Sequence, residues 1–149
     1  MKIALLLTLL NFLRISCETI TIANIAISWT NKGDQTDFVM QMPLLNGLSS
    51  NNVWAGFGFN TIPRMGLANV VVCQSTSTGT SIAHYYNSMS YQSNLLVSSN
   101  PTIGISNGNV TTANNILRCS FTRDNSNSAA NYFKITSQTT IYMIAAYGK

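Results

Sequence analysis

Apolar and polar residues alternate along most of this chain. Ile20 and Ile22, then Ile25, Ile27 and Trp29, take every second position, with one slip of phase between 22 and 25. Alternation of this kind puts the apolar side chains on one face of an extended strand. A bulge or a break in the strand would produce the slip. Phe38, Met40 and Met42 line one face of a next strand, which ends near Pro43. Val53, Ala55, Phe57 and Phe59 line another, and Trp54, Gly56 and Gly58 take its opposite face. The glycine pair leaves that second face open, so something is expected to pack closely there.

Val70, Val71 and Val72 form a short continuous apolar run, which suits a strand buried on both faces. QSTSTGTS at 74–81 reads as a polar turn, after which Ile82, His84 and Tyr86 share one parity. Leu117, Cys119 and Phe121 share another, with Arg118, Ser120 and Thr122 facing away. Phe133 and Ile135 follow, then Ile141, Met143, Ala145 and Tyr147. Residues 87–115 are rich in Asn, Ser and Gly and read as long loops with a weak strand near 94–97. DNSNSAAN at 124–131 reads as a polar hairpin loop. Helical periodicity is almost absent after the first residues. The pattern gives eight or nine short strands outright. It predicts an all-β, immunoglobulin-like antiparallel β-sandwich of about 8–11 strands.

A length of 149 residues fits one domain. Apolar residues make up 46% and charged residues 8%, a globular balance in which Ser, Thr and Asn supply the polarity. The first residues, MKIALLLTLLNFLRISC, combine Lys2 with an apolar run over 3–10 and small residues at Ser16 or Cys17. They read as a secretory signal peptide over 1–17, leaving 18–149 as the exported domain. An N-terminal membrane anchor is the other reading, although the run is shorter than the roughly 20 apolar residues a bilayer span needs. No later run approaches that length. Without residues 1–17, Lys+Arg falls from 8 to 6 against 4 Asp+Glu, and the net charge from +4 to +2. The remaining cations form no run, so nucleic acid is not an expected partner.

Loss of Cys17 leaves Cys73 and Cys119. An even count in an exported chain favours one disulfide over two buried thiols. The bridge would close a loop of roughly 45 residues and stabilise by about 4 kcal/mol. Asn109-Val110-Thr111 is a glycosylation sequon.

The single histidine, His84, excludes a His-rich zinc or copper site. Glu18 stands near the start of the expected domain, and Asp34 and Asp37 flank a turn. Paired carboxylates for glycoside hydrolysis are therefore not expected. Asp34 to Asp37 lacks the spacing of a calcium loop. No nucleophile elbow is present, and Gly-Phe-Gly-Phe opens no helix as a phosphate loop would. The residues themselves point to no enzyme.

An ordered series of motifs is more specific. WAGFGF at 54–59, RMG at 64–66, NVVV at 69–72, AHYY at 83–86, CSFTR at 119–123 and YMIAAYG at 142–148 occur in that order. Together they resemble the DOMON family over about residues 20–148. The resemblance implies a secreted or lumenal β-sandwich that binds haem b or a sugar. Such domains occur alone, or beside copper monooxygenase domains and transmembrane b-type cytochromes that reduce iron. In haem-binding members the iron is held by a Met in the loop after the W-x-G-F strand and by a His beyond the closing strand. Met65 occupies the Met position. A soft thioether favours ferrous iron and raises the reduction potential. The sequence ends at Lys149, where the family would continue towards its His, so the chain is either short or cut from a longer product.

His84 as substitute ligand would lie opposite Val70 in a hairpin of 68–73 with 81–86. That is about five residues and, at ~3.3 Å per residue, roughly 15 Å from Met65. Met65 is thus a candidate axial ligand or a loop Met closing the end of the sandwich. Trp54, Phe57 and Phe59 are the expected lining of a pocket at one end. The expected function is a non-catalytic, secreted haem- or carbohydrate-binding domain, passing single electrons to a redox partner if haem is bound. The rivals are a cofactor-free recognition or adhesion module using Tyr85, Tyr86 and Tyr91, and the N-terminal part of a membrane ferric reductase.

Overall fold

The computed structural model describes residues 4–6, 17–45, 47–90, 92–136, 138 and 140–149. Among them are eleven strands and no helix. The strands are β1 (Ala4–Leu6), β2 (Cys17–Ile22), β3 (Ile25–Asn31), β4 (Gln35–Pro43), β5 (Asn52–Asn60) and β6 (Asn69–Thr76), then β7 (Gly79–Asn87), β8 (Ser93–Leu95), β9 (Ile105–Ala113), β10 (Ile116–Asp124) and β11 (Tyr142–Gly148). They form two antiparallel sheets. One has the order β1-β11-β5-β6-β7-β8 and the other β2-β3-β4-β10-β9. Most of the expected signal segment, and Tyr91, lie outside the described residues.

The core between the sheets is built by the parity read from the sequence. Ile25, Ile27, Phe38, Met40, Met42, Leu117, Cys119 and Phe121 face it from one sheet. Val53, Ala55, Phe57, Phe59, Val71, Cys73 and Met143 face it from the other. Phe38 sits within 5.2–5.5 Å of the Phe57, Phe59 and Phe121 rings. These are tilted contacts of the kind aromatic quadrupoles favour. Cys73 on β6 and Cys119 on β10 form a disulfide that ties the sheets together across this core.

Local deviations have identifiable causes. The phase slip after Ile22 is a strand break: Ala23 and Asn24 take positive φ values of 50° and 70° and turn β2 directly into β3. Asn114 and Asn115 do the same between β9 and β10, in the left-handed pair that suits a two-residue hairpin. The expectation of loops over 87–115 is corrected by β9, a nine-residue strand. It was hidden because it lies at the sheet edge and buries one side chain, Val110. The expected strand near 94–97 is the three-residue β8. Phe133 and Ile135 do not form a strand. Ile135 is instead buried by an irregular segment whose amide donates to the Asn125 carbonyl at 2.8 Å.

Candidate functional site

Seven residues of β5 and its neighbours decide where a ligand can sit. Trp54, Gly56 and Gly58 project from the outer face of the six-stranded sheet, away from the core. The register sets Gly56 between Val72 and Ala146, and Gly58 between Val70 and Ile144. These outer residues are apolar, so the middle of this sheet is apolar on both faces. A cavity of about 520 Å³ lies over the outer face, lined by Trp54, Gly56, Met65, Val70, Val72 and Ile144, with Ala145, Ala146, Asn87 and Ser93. That volume falls in the ordinary range for small-molecule sites. The glycines are required locally. A Cβ on Gly58 would stand 2.5 Å from the Asn69 carbonyl oxygen and 2.8 Å from Val70 Cγ2, and one on Gly56 2.9 Å from the Val71 oxygen. Val70 and Val72 therefore lean over backbone, and the floor of the cavity stays low.

Met65 reaches this cavity from the β5–β6 loop, which two buried amides hold. Asn60 Nδ2 donates to the Arg64 and Gly66 carbonyls at 2.8 and 2.9 Å, while its Oδ1 accepts the Thr61 amide. Asn87 Nδ2 donates to the Met65 carbonyl at 3.1 Å, and the Ser93 hydroxyl donates to Asn87 Oδ1 at 2.7 Å. Backbone bonds from Leu67 to Asn87 and from Asn87 to Ala68 complete the clamp. Leu67 pays for the tight turn with a φ of 66°. The polar atoms of Asn87 and Ser93 are thus engaged with each other and with the loop.

The structure separates the residues expected to act together. Trp54 and Met65 line the cavity. Phe57 and Phe59, expected beside them, point into the core and are 0% and 1% exposed. The reason is the two-residue period of β5, which sends Trp54 and Phe57 to opposite faces. The cavity lies on a sheet face and not at the end of the sandwich. His84 also faces inward: it pairs with Val71, one residue from the expected register, and is fully buried. It stands on the far side of the sheet from the cavity.

His84 belongs to a buried polar cluster. Its Nδ1 lies 2.9 Å from the Ile103 carbonyl and its Nε2 2.5 Å from Asn69 Oδ1. A neutral imidazole has one N–H for these two oxygens. Burial, then the nearby Arg123 charge, pushes its pKa down to about 4. Arg123 is itself buried and makes no salt bridge among the described residues, although the Asp124 charge favours its protonated form. It donates to the Asp124 and Phe133 carbonyls and to Asn69 Oδ1, and lies 4.4 Å over the Tyr132 ring and 5.1 Å over the Phe59 ring. Its Nε makes no hydrogen bond among the described residues. Burial lowers its pKa to about 10 and raises that of Tyr132 to about 12. Parity on β10 could have placed Arg123 inward with Phe121; Asn69 and Asn87, single polar residues at strand ends, gave no such signal.

Asn109 is exposed on β9, the edge strand, beside exposed Thr111. Among the described residues no group of three His, Cys, Asp or Glu side chains could hold a metal, and no helix is long and apolar enough to cross a membrane. Comparison with curated proteins returns no match. Comparison with protein-family models matches the DOMON domain over residues 22–148, from the end of β2 through β11. That match spans both sheets, the disulfide and the outer-face cavity, and the chain belongs to the DOMON domain family.

Proposed function

We propose that this chain is a secreted or lumenal, non-catalytic domain that binds haem b in the outer-face cavity with Met65 as an axial ligand. The observation that carries the reading is the position of Met65, the one soft donor among the lining residues of an apolar cavity. The lining fits a flat apolar group in three respects. Trp54 offers an aromatic surface, Gly56 keeps the floor low, and the clamp from Asn60 and Asn87 fixes the loop that presents the thioether. Haem, when bound, supplies one-electron chemistry for exchange with a redox partner. This chain's part is to exclude water with Val70, Val72 and Ile144 and to present sulfur, which favours the ferrous state. His84 offers no second ligand, because it lies on the inner face with both ring nitrogens engaged. In this reading residues 1–17 are the removed signal peptide and Asn109 carries an N-linked glycan.

Titration of the protein with ferric haem, followed by the fluorescence of Trp54 and Trp29, tests the reading. Trp29 is buried in the five-stranded sheet. Saturable quenching that weakens when Ala146→Phe fills the cavity floor is expected, since haem bound in a domain this small quenches both tryptophans by energy transfer. Quenching that persists unchanged in that variant would place haem elsewhere. A cofactor-free recognition module is the second reading, favoured by the lack of a second soft donor among the cavity residues.

A further inference from the structure

The six-stranded sheet differs from its partner in charge. None of its strands β1, β5, β6, β7, β8 and β11 carries an Asp, Glu, Lys or Arg. All four carboxylates of the chain belong to the other sheet or its turns: Glu18 on β2, Asp34 before β4, Asp37 on β4 and Asp124 on β10. Asp37 is paired with Lys32 at 2.5 Å, and Asp124 accepts from Gln35 at 2.9 Å. The outer-face cavity is therefore remote from negative charge on its own strands.

A cation stands next to a cavity-lining residue in the chain. Arg64 precedes the lining residue Met65, and its guanidinium lies 3.6 Å from the sulfur of Met89. Met89 stands on the turn between Asn87 and Ser93, both of which line the cavity, and is 61% exposed. Arg64 thus reaches from one rim loop to the other, along an exposed path and with no carboxylate partner among the described residues. The interior offers no matching partner for a charge, since its walls are apolar and Asn87 and Ser93 are engaged. A charged group on a ligand would have to stay at the rim, where a guanidinium recognises carboxylate, sulfonate or phosphate.

We propose that the cavity takes an amphiphilic anion, with its apolar body between Trp54 and Met65 and its anionic group paired with Arg64 at the rim. This rests on the cavity being the binding site, as above, but not on iron or on Met65 as a metal ligand. It deepens that reading by excluding neutral and cationic apolar molecules as preferred ligands. The exposure of Arg64 sets the scale, because an exposed ion pair is worth at most about 1 kcal/mol, or about fivefold in affinity.

The test compares 8-anilinonaphthalene-1-sulfonate with N-phenyl-1-naphthylamine, the same apolar body with and without the anion. Fluorescence titrations of the full chain should show the sulfonate bound about fivefold more tightly. That preference should vanish in Arg64→Gln and shrink as salt is raised. Ala146→Phe, which fills the cavity floor, should weaken both probes. Equal affinity for the two probes, or a preference that survives Arg64→Gln, overturns the proposal. Undiminished binding to Ala146→Phe overturns it too, by placing the probes elsewhere. Ferric haem is added last as competitor. If it fails to displace a sulfonate that obeys the Arg64 pattern, the haem reading falls while the anion preference stands.

Discussion

His84 faces the core and Met65 the outer-face cavity, so the two sit on opposite sides of one sheet. His84 is held neutral by burial and by the Arg123 charge, with its pKa lowered to about 4. The unfolded chain, with an ordinary histidine near 6.5, binds a proton that the folded chain refuses between those values. Stability is therefore fully present above pH ~6.5 and declines as pH falls towards about 4, by on the order of 3 kcal/mol in all. Urea titrations at pH 7 and pH 4.5 should show the decline, and His84→Gln should flatten it. An equal decline in that variant would put the effect on other groups. Gly58→Ala should cost about 1–3 kcal/mol, because its Cβ meets the Asn69 backbone carbonyl; a melting temperature within a degree of the parent's would contradict this. Much of this scale was legible in the sequence. The alternation in 53–59 already put Trp54 apart from Phe57 and Phe59, and the idea of one pocket holding all three ignored that parity. The joint burial of His84, Asn69 and Arg123 was not legible, because it depends on long-range contacts between β6, β7 and β10.

At the scale of elements, strands with an apolar face announced themselves and the polar edge strand did not. β4, β5 and β10 each bury several large side chains, whereas β9 buries only Val110 and is fixed by its ladder to β10. An edge strand exposes unpaired backbone groups, and a bulky glycan is one way to guard it. If Asn109 is glycosylated on export, treatment with an amidase specific for N-glycans should shift the mass of the secreted chain and leave Asn109→Gln unchanged. A secreted parent with the unmodified mass would remove the glycan from the picture. The Met65 loop makes a second prediction at this scale. Asn60→Ala strips partners from the Arg64 and Gly66 carbonyls and the Thr61 amide. Hydrogen exchange should quicken across 61–68 by about tenfold or more, with β3 and β4 unchanged. Exchange unchanged over the loop would show that Asn87 alone holds it.

The whole molecule is a sandwich with a disulfide across its core and an apolar sheet turned outward. Two of these features were foreseen from alternation and cysteine count; the cavity on the outer face follows only once Val70, Val72, Ile144 and Ala146 are laid beside the glycines by the strand order. Replacing Cys73 and Cys119 with Ala should cost about 4 kcal/mol, read as a lower urea midpoint, and a midpoint equal to the parent's would show that packing alone holds the sheets. The central claim concerns Met65. The most direct measurement is the absorption spectrum of the protein with haem, oxidised and then reduced, for the parent chain and for Met65→Ala. Binding through the thioether predicts a haem spectrum distinct from that of free haem, oxidised and reduced, that shifts or is lost in the variant. A parent spectrum equal to that of free haem, or bands that persist unchanged in Met65→Ala, would contradict it.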